Sequence, residues 1–317
     1  MPLLEMDDES YLNSLDEQEE NFVYIKPRLR DLPRRNIAEV AETTGLEGGF
    51  ETTYKPSRHE AGWLFDSLRT FYEQNLVRDI LYLVKGGKEA NVYCCEAGSA
   101  APDGVELVAA KVYRPRQFRN LRNDHLYRAG RAVLTSEGRA VKNSDGRIMR
   151  ALGKKTDFGA QVQHTSWLMY EFTTLEKLHQ VGVAVPSAHS ANENAILMDY
   201  VGSRDGAAQT LSEVSLETKE ATVLFHRTLQ SIETMLCEDI IHGDLSAYNI
   251  LYWQGDITLI DFPQITSPET NPHAETLFQR DVSRVCEYFV RQGVRCDARA
   301  LANQMWRRVI GAGMEVL

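Results

Sequence analysis

The stretch IHGDLSAYNILYWQGDITLIDF, residues 241–262, spaces polar side chains in a way that can support chemistry. Asp244 comes two residues after His242, Asn249 follows five residues later, and Asp261 ends an apolar run. Phosphoryl transfer requires a group that accepts a proton from, or orients, the attacking hydroxyl, and oxygen ligands for Mg²⁺ on the phosphates. The spacing therefore predicts Asp244 as the catalytic base, with Asn249 and Asp261 as metal ligands.

The same spacing, His-x-Asp-Leu-x₃-Asn, occurs in the catalytic loop of protein kinases. In that template the metal-binding aspartate follows the catalytic loop on a hairpin, which is where Asp261 stands. The letters DFG at 157–159 spell the kinase metal motif, but they precede the catalytic loop. We therefore predict that Asp157 is not the metal ligand.

A phosphate-binding loop is indicated by GGKEANVY, residues 86–93, which lies between two apolar runs. When the kinase pattern G-x-G-x-x-G-x-V is aligned on Val92, only Gly87 coincides with one of its glycines. The loop nevertheless offers a flexible Gly-Gly pair and a lysine that can reach phosphate. The residues predicted to contact the nucleotide here are Gly87, Lys88, Glu89 and Val92.

A lysine-bearing strand follows this loop, and its residues 108–111 match the kinase pattern V-A-I-K in three of four places. Lys111 is thus predicted to hold the phosphates, with a carboxylate from a helix behind it. Glu171 falls on an apolar stripe in residues 166–180, and a buried charge is costly unless it is paired. We predict the pair Lys111–Glu171, with Glu176, which lies off the stripe, as the alternative. The stripe consists of Trp167, Leu168, Leu175 and Leu178.

The stretch MDYVG, residues 198–202, follows a short apolar strand and is predicted to be the hinge between two lobes. Backbone groups of Asp199 and Val201 are predicted to contact the adenine of ATP. Met198 is placed beside them in the same nucleotide site.

These residues need elements to position them, and the apolar periodicity predicts strands first and helices later. This order indicates a two-lobed α+β protein, with a flexible acidic region 1–57, an N-lobe 58–202 and a C-lobe 203–317. Helices are expected over 57–74, over 166–182 up to Gly182, over 215–240, and from residue 274 onward. Strands are expected within 80–98, 105–113 and 194–202, and as a hairpin of 249–253 with 257–261.

The composition, with 43% hydrophobic and 25% charged residues, is that of a soluble globular protein. No apolar run approaches the roughly 18 residues that a membrane helix needs, so no membrane association is expected. The first twenty residues carry eight acids and no base, which excludes a secretory signal. The five cysteines are odd in number and show no metal-ligand spacing, which favours a reducing, cytoplasmic location.

The net charge of −10 is unevenly distributed along the chain. Residues 112–166, predicted as an insert in the N-lobe, hold twelve Lys/Arg and four Asp/Glu. Basic clusters can bind phosphates, so residues 114–155 are predicted to contact a protein substrate, RNA or a ribosomal particle. A solvated loop, or a contact with the acidic tail 5–20, is the alternative.

Together these residues resemble the RIO family of atypical serine/threonine protein kinases, in its branch without a winged-helix head. The resemblance covers roughly residues 60–295 and rests on GKEANVY, the lysine strand, the helix of Glu171, MDYVG, HGDLSAYNILY, LIDFPQ and NPHAETLFQRDVSRVCEYF. It implies a protein-kinase-like fold with a shortened C-lobe and no activation segment, and ATP as cofactor with Mg²⁺, or Mn²⁺ in its place. It also implies an aspartyl-phosphate intermediate within an ATPase cycle, which would make Asp261 a catalytic residue as well as a metal ligand.

Two other classes of protein remain as alternatives. Small-molecule phosphotransferases of the aminoglycoside or choline kinase type also carry His-Gly-Asp-x₄-Asn and Ile-Asp-Phe. The loop GKEANVY followed by V-A-x-K favours the RIO pattern over theirs. A non-catalytic scaffold is the third class, and it is disfavoured because every chemical position is filled.

Overall fold

The computed structural model describes residues 52–114, 132–142, 145–154 and 156–311, without the side chain of Asp157. The predicted acidic region 1–57 therefore lies almost wholly outside the described residues. The same holds for residues 115–131 of the predicted basic insert.

Helix α1, Arg58–Glu73, precedes the sheet. Ser57 at its N-cap and Glu60 at its third position form a capping box, which satisfies backbone N–H groups that the helix itself leaves without partners. Leu64, Leu68 and Phe71 share one face of the helix and are buried against the strands. The helix predicted from residue 57 is confirmed.

The N-terminal half of the described chain forms a five-stranded antiparallel sheet in the order β1-β2-β3-β5-β4. Within it, Lys111 pairs with Val92 on one side and Ile196 on the other, which places this lysine at the centre of the sheet. The predicted strands are all present, but the edge strand β4 was not predicted, because its sequence Ala-His-Ser-Ala carries no apolar alternation. The strands are β1 (Val77–Gly86), β2 (Ala90–Ala97), β3 (Leu107–Tyr113), β4 (Ala188–Ala191) and β5 (Ala195–Asp199).

Helices α2 (Gly146–Gly153) and α3 (Asp157–Gln180) lie between β3 and β4 in the sequence. The start predicted for α3 at residue 166 was wrong: the helix begins earlier because Thr156 caps it, accepting a hydrogen bond from the N–H of Gly159 at 3.1 Å. A Cβ at Gly159 would lie 2.3 Å from the carbonyl oxygen of Ala151, so only glycine fits this approach of α2 to α3. The letters DFG at 157–159 form the first turn of a helix and not a metal-binding loop.

The C-terminal half consists mainly of helices around a small sheet in the order β10-β9-β8. The predicted hairpin is present, with Gln254 and Gly255 at its turn, and the predicted helices are confirmed. The short strands were not predicted, since two residues carry no periodicity. The elements are β6 (Gly202–Ser203), β7 (Gly206–Ala207), β8 (Gln209–Thr210), α4 (Thr218–Cys237), β9 (Ile250–Trp253), β10 (Asp256–Leu259), α5 (Ala274–Arg291) and α6 (Ala298–Trp306), followed by a π-helical turn, Arg307–Gly311.

Buried apolar side chains form two clusters in the described part of the chain. One packs α1 against β1, β2 and β3 and includes Leu68 and Tyr93. The other joins the stripe of α3, including Leu168 and Leu175, to α4, α5 and the hairpin. Helix α3 thus connects the sheet with the helical half, and Glu171 lies on its buried face with 2% of its surface exposed.

Cys286 on α5 and Cys296 form a disulfide, while Cys94, Cys95 and Cys237 are free. The sequence did not predict this pair. None of the helices over the described ranges combines the length and apolar character that a membrane crossing requires.

Candidate active site

Lys111 and two carboxylates meet between the sheet and the helical half. Nζ of Lys111 lies 2.6 Å from Oε1 of Glu171 and 2.6 Å from Oδ1 of Asp261. The other oxygen of Glu171 accepts a hydrogen bond from the hydroxyl of Tyr113. Oε1 of Glu171 also accepts one from the backbone N–H of Phe262 at 3.4 Å. The cluster therefore ties together β3, α3 and the end of the hairpin.

These contacts keep Lys111 and Asp261 in their charged forms. Burial would raise the pKa of Asp261, but the ammonium of Lys111 outweighs burial and holds that pKa below its ordinary value. Burial lowers the pKa of Lys111, and the carboxylates of Asp261 and Glu171 more than reverse this effect. The ion pair that was predicted for Lys111 is present and uses Glu171, not Glu176.

The backbone at Asp261 has a φ of 69°, which is uncommon for a residue other than glycine. Residues held in this conformation occur at turns, as at Gln254, and also cluster at active sites and ligand-binding segments. The preceding residue is held on both sides: the N–H of Ile260 donates to the carbonyl of Asn249 at 3.0 Å, and Nε2 of His242 lies 3.1 Å from the carbonyl of Ile260. The rings of His242 and Phe262 also pack, with centroids 4.7 Å apart. The catalytic loop thus fixes the position from which Asp261 faces Lys111.

Asp244 and Asn249 lie in the loop between α4 and β9. Nδ2 of Asn249 donates to the carbonyl of Asp244 at 2.9 Å, which leaves its amide oxygen available to a metal ion. The side chain of Asp244 is 47% exposed, and its Oδ1 accepts a hydrogen bond from Nη1 of Arg284 at 2.9 Å. Burial raises the pKa of Asp244, while the neighbouring His242 and the guanidinium of Arg284 act in the opposite direction.

Helix α5 holds the catalytic loop through Asp281, which is 2% exposed. Its carboxylate accepts hydrogen bonds from the N–H groups of Gly243, at 2.7 Å, and Leu245, at 3.0 Å. Arg280 donates to the carbonyl of Gly243. The backbone N–H groups of the residues on both sides of Asp244 are therefore bound by one carboxylate.

Sequence reasoning assigned no role to Tyr113, Asp281 or Arg284. Tyr113 stands two residues after Lys111 on β3, and strand periodicity places such residues on the same face. Arg284 comes three residues after Asp281, which places both on the same face of α5. The periodicity of these elements was therefore a usable signal, once Lys111 and the Arg280-Asp281 pair had been noticed.

The predicted phosphate loop closes on itself. The N–H of Gly87 donates to the carbonyl of Ala90 at 2.9 Å, and a Cβ at Gly87 would lie 2.7 Å from that oxygen. Lys88 is exposed at the tip, and the carbonyl of Glu89 accepts a hydrogen bond from the N–H of Arg114 at 2.9 Å. Val92 pairs with Lys111 across β2 and β3. The loop thus adjoins the strand of Lys111.

The predicted hinge residues follow directly from β5. Met198 is buried. The N–H of Asp199 donates to the carbonyl of Ser187 at 2.9 Å, and the carboxylate of Asp199 accepts a hydrogen bond from the N–H of Ser187 at 3.0 Å. The carbonyl of Val201 accepts from the N–H of Ala208 at 2.9 Å. Contacts with adenine would therefore use the carbonyl of Asp199 and the N–H of Val201.

The donor set at this site fits Mg²⁺. Over the described ranges there is no cluster of three or more His, Cys, Asp or Glu side chains that could hold a metal. Mg²⁺ in phosphoryl-transfer sites is bound by one or two protein oxygens, with phosphates and water completing the octahedron. The amide oxygen of Asn249 and the carboxylate of Asp261 are ligands of this kind.

Comparison with known proteins identifies the family. The family model described as the RIO domain matches residues 106–301, the part of the chain that contains Lys111, Glu171, Asp244, Asn249 and Asp261. The chain belongs to the RIO family. The curated RIO-type serine/threonine-protein kinase Rio1 of Haloferax volcanii is 30% identical over 220 residues, which is 69% of this chain and 66% of that protein. Human serine/threonine-protein kinase RIO3 is 29% identical over 130 residues, 41% of this chain and 25% of that protein.

Membership of the RIO family brings with it the protein-kinase-like fold that the sequence predicted. Among solved structures, the Cydia pomonella granulovirus kinase PK-1 aligns over 63% of this chain and 58% of its own, with 15% identity and a TM-score of 0.37. The matches to the curated relatives span about two thirds of the archaeal protein and a quarter of the human one.

Proposed function

We propose that this RIO-family chain is an ATP-dependent phosphotransferase that acts as a serine/threonine protein kinase, as an ATPase, or as both. The observation that supports it best is the position of Lys111 between Glu171 and Asp261, with Nζ 2.6 Å from each carboxylate. A cation held in this way can pass from Asp261 to an incoming phosphate while Glu171 continues to orient it. The names of the relatives, which are RIO-type kinases, agree with this activity.

In this proposal Asn249 and Asp261 hold Mg²⁺, or Mn²⁺ in its place, since both cations prefer oxygen ligands. The metal neutralises charge on the phosphates when it is bound. Gly87, Lys88, Glu89 and Val92 form the loop over the phosphates. Met198, the carbonyl of Asp199 and the N–H of Val201 contact the adenine.

Two routes are open to the γ-phosphoryl group. In the first, Asp244 accepts the proton of a substrate hydroxyl or of water, whose oxygen attacks phosphorus while the bond to the β–γ bridging oxygen breaks and ADP leaves. In the second, a carboxylate oxygen of Asp261 attacks phosphorus and ADP leaves. Water then hydrolyses the aspartyl-phosphate to free phosphate and restores the carboxylate. The side chain of Asp261 is 46% exposed, so a phosphate and then a water molecule can reach its carboxylate, as the second route requires.

The proposal is tested with γ-labelled ATP and Mg²⁺ on the full chain and on two variants. Asp244→Asn should keep ATP binding and slow turnover, whereas Asp261→Asn should lose metal-dependent binding. A label that hydroxylamine removes would establish an acyl-phosphate, and recovery of that label on the peptide containing Asp261 would place it on this residue. A stable phosphoserine as the sole labelled species would leave an ordinary protein kinase. The absence of both ATP binding and turnover in the unaltered chain would refute the function.

We further propose that the partner is a protein or an RNA-containing particle bound through the basic insert 114–155, and that the protein acts in the cytoplasm. The described part of this insert supports a binding surface, because Lys142, Arg147, Arg150 and Lys154 are all exposed on or beside α2. In a reducing cytoplasm Cys286 and Cys296, which are close enough to form a disulfide, are expected to be free thiols, because disulfides are rare there. Counting reactive thiols in protein extracted under alkylating conditions tests the location: five thiols support the cytoplasm and three contradict it.

A further inference from the structure

We propose that helix α1 forms part of the nucleotide site, and that Glu60 on this helix is a positioning residue for the phosphate-binding loop. This inference rests on the proposed ATP-dependent function. It adds a chain of hydrogen bonds that runs from α1 through Tyr93 to Asn91 at the base of the loop. The helix lies before residue 106, where the match to the family model begins.

Glu60 is the common acceptor at the start of this chain. Its Oε1 accepts from the hydroxyl of Tyr93 at 2.5 Å and from Nδ2 of Asn91 at 3.4 Å. Its Oε2 accepts from the hydroxyl of Tyr54 at 3.1 Å and from the N–H of Ser57 at 3.3 Å. Four donors therefore fix the carboxylate, so that it serves as a rigid attachment point for β2.

Asn91 passes this attachment on to the loop. It is 4% exposed, and its Nδ2 donates to the hydroxyl of Tyr93 at 2.9 Å. Its Oδ1 accepts from Nε and Nη2 of Arg114 at 3.2 and 3.0 Å. A buried amide with both ends bonded has one orientation, because turning it would leave a donor and an acceptor without partners. The chain through Glu60, Tyr93 and Asn91 therefore reaches the guanidinium of Arg114.

Both ends of the loop turn depend on this arrangement. Asn91 directly follows Ala90, whose carbonyl accepts the hydrogen bond from Gly87 that closes the turn at 2.9 Å. Arg114 donates its backbone N–H to the carbonyl of Glu89 at 2.9 Å, while its side chain binds Asn91. Moving Asn91 thus displaces the backbone on both sides of Glu89, which is the part of the loop expected to face the phosphates.

A change in this chain of hydrogen bonds should affect the binding of the phosphates and not the binding of the adenine. The adenine is expected at residues 198–202, on another strand, which the chain from Glu60 does not reach. Loss of Glu60 or Tyr93 should therefore weaken the binding of Mg·ATP and leave the binding of adenosine unchanged. If the helix had a purely structural role, these changes would weaken the binding of both ligands equally, or of neither.

The experiment measures dissociation constants of Mg·ATP and of adenosine by calorimetry on the full chain and on three variants. Tyr93→Phe removes one hydroxyl from a fully buried ring, and Glu60→Ala removes the acceptor. Glu73→Ala, at the exposed end of the same helix, is the control. Tyr93→Phe and Glu60→Ala should each raise the constant for Mg·ATP about fivefold, with adenosine changed less than twofold, and the control should match the unaltered chain.

The double variant should bind Mg·ATP as tightly as the single variant with the larger loss of affinity, because both changes break the same chain of contacts. Thermal denaturation shows whether each variant is folded, and Tyr93→Phe carries the test if Glu60→Ala is not. Unchanged Mg·ATP binding in folded Tyr93→Phe, or an equal loss for adenosine, would overturn the inference while leaving the proposed function standing. If the unaltered chain binds no ATP, the proposed function fails and the inference fails with it.

Discussion

Arg284 on helix α5 holds the carboxylate of Asp244, with Nη1 at 2.9 Å from Oδ1. The same helix holds the backbone on either side of Asp244, through Asp281 to Gly243 and Leu245. One face of α5 therefore orients both the main chain and the side chain of the proposed base. The chemistry of the catalytic loop depends on residues that lie outside its motif.

Replacing Arg284 should change the pH dependence of turnover. Burial raises the pKa of Asp244, while the neighbouring His242 and the guanidinium charges of Arg284 and Arg280 oppose this effect. Arg284→Gln removes one of these charges, so the pKa of Asp244 should rise further. Since the base acts in its ionised form, the acidic limb of the kcat profile should move to higher pH, with ATP affinity changed less than about twofold. Arg291→Gln, at the exposed end of α5, is the control and should leave the profile unchanged. If the acidic limb does not move in Arg284→Gln, Arg284 does not set the pKa of the catalytic base.

Replacing Lys111 should affect both stability and turnover. Lys111→Met leaves Glu171, which is 2% exposed, without its cation, although the Tyr113 hydroxyl and the Phe262 N–H remain. Removing one partner of a buried pair costs about 3 kcal/mol or more, so the free energy of unfolding should fall by roughly that amount. Turnover should be lost because the phosphates lose the cation that lies between Glu171 and Asp261.

The double variant Lys111→Met/Glu171→Gln separates these two effects. Neutralising Glu171 removes the uncompensated charge, so most of the lost stability should return while turnover stays absent. Urea unfolding measures the first quantity and release of labelled phosphate the second. Recovery of turnover in the double variant would show that Lys111 does not serve the nucleotide.

Much of the site could be predicted because its residues sit at fixed spacings within single elements. The spacing from Asp244 to Asn249 is local, and the pair Lys111–Glu171 follows from an apolar stripe that places a charge on a buried face. Asp261 was separated from the misleading Asp157 by order along the chain alone. The structure adds that Gly159 lies in the first turn of α3, under the cap of Thr156.

Contacts between distant elements could not be predicted in this way. The hydrogen bonds from Gly243 and Leu245 to Asp281 join residues that lie 38 and 36 positions apart in the sequence. No local pattern in the sequence marks which loop a helix will face. The start of α3 was also missed, because the cap at Thr156 lies in a basic stretch without apolar periodicity. The strands β6, β7 and β8 arise from tertiary pairing and not from propensity.

Charge removal on and beside α2 tests the proposed partner surface. Lys142, Arg147, Arg150 and Lys154 are exposed, and replacing all four by glutamine removes four positive charges. If they contact RNA phosphates, the slope of log affinity against log salt should fall by about 3. A matched control replaces the exposed Lys219, Arg291, Arg295 and Arg299 and should leave the slope unchanged. Equal slopes in both variants would indicate that α2 is a solvated helix without a partner. If the four changes weaken binding to a protein substrate and not to RNA, the partner of this surface is a protein.

Asp281 should make stability depend on pH in the direction opposite to most carboxylates. Burial raises its pKa from the ordinary value of 3.8 to about 6, although the neighbouring His242, the guanidinium of Arg280 and the N–H of Gly243 act in the opposite direction. The folded state therefore holds this proton at a pH where the unfolded chain has released it. The stabilisation is complete below about pH 4 and is lost as the pH rises through 6.

Asp281→Asn removes this titration while it keeps the size of the side chain. Relative to the variant, the free energy of unfolding of the natural chain should fall between pH 4 and 7 by roughly 2 kcal/mol, since each unit of pKa difference corresponds to about 1.4 kcal/mol and part of the titration lies below pH 4. Urea unfolding of both chains across this range measures the difference. Asp256→Asn, at the start of β10 where the side chain is 64% exposed, serves as the control and should show no such trend. A difference that stays constant with pH, or grows in favour of the natural chain, would mean that Asp281 is ionised in the fold and holds Gly243 and Leu245 as a carboxylate throughout.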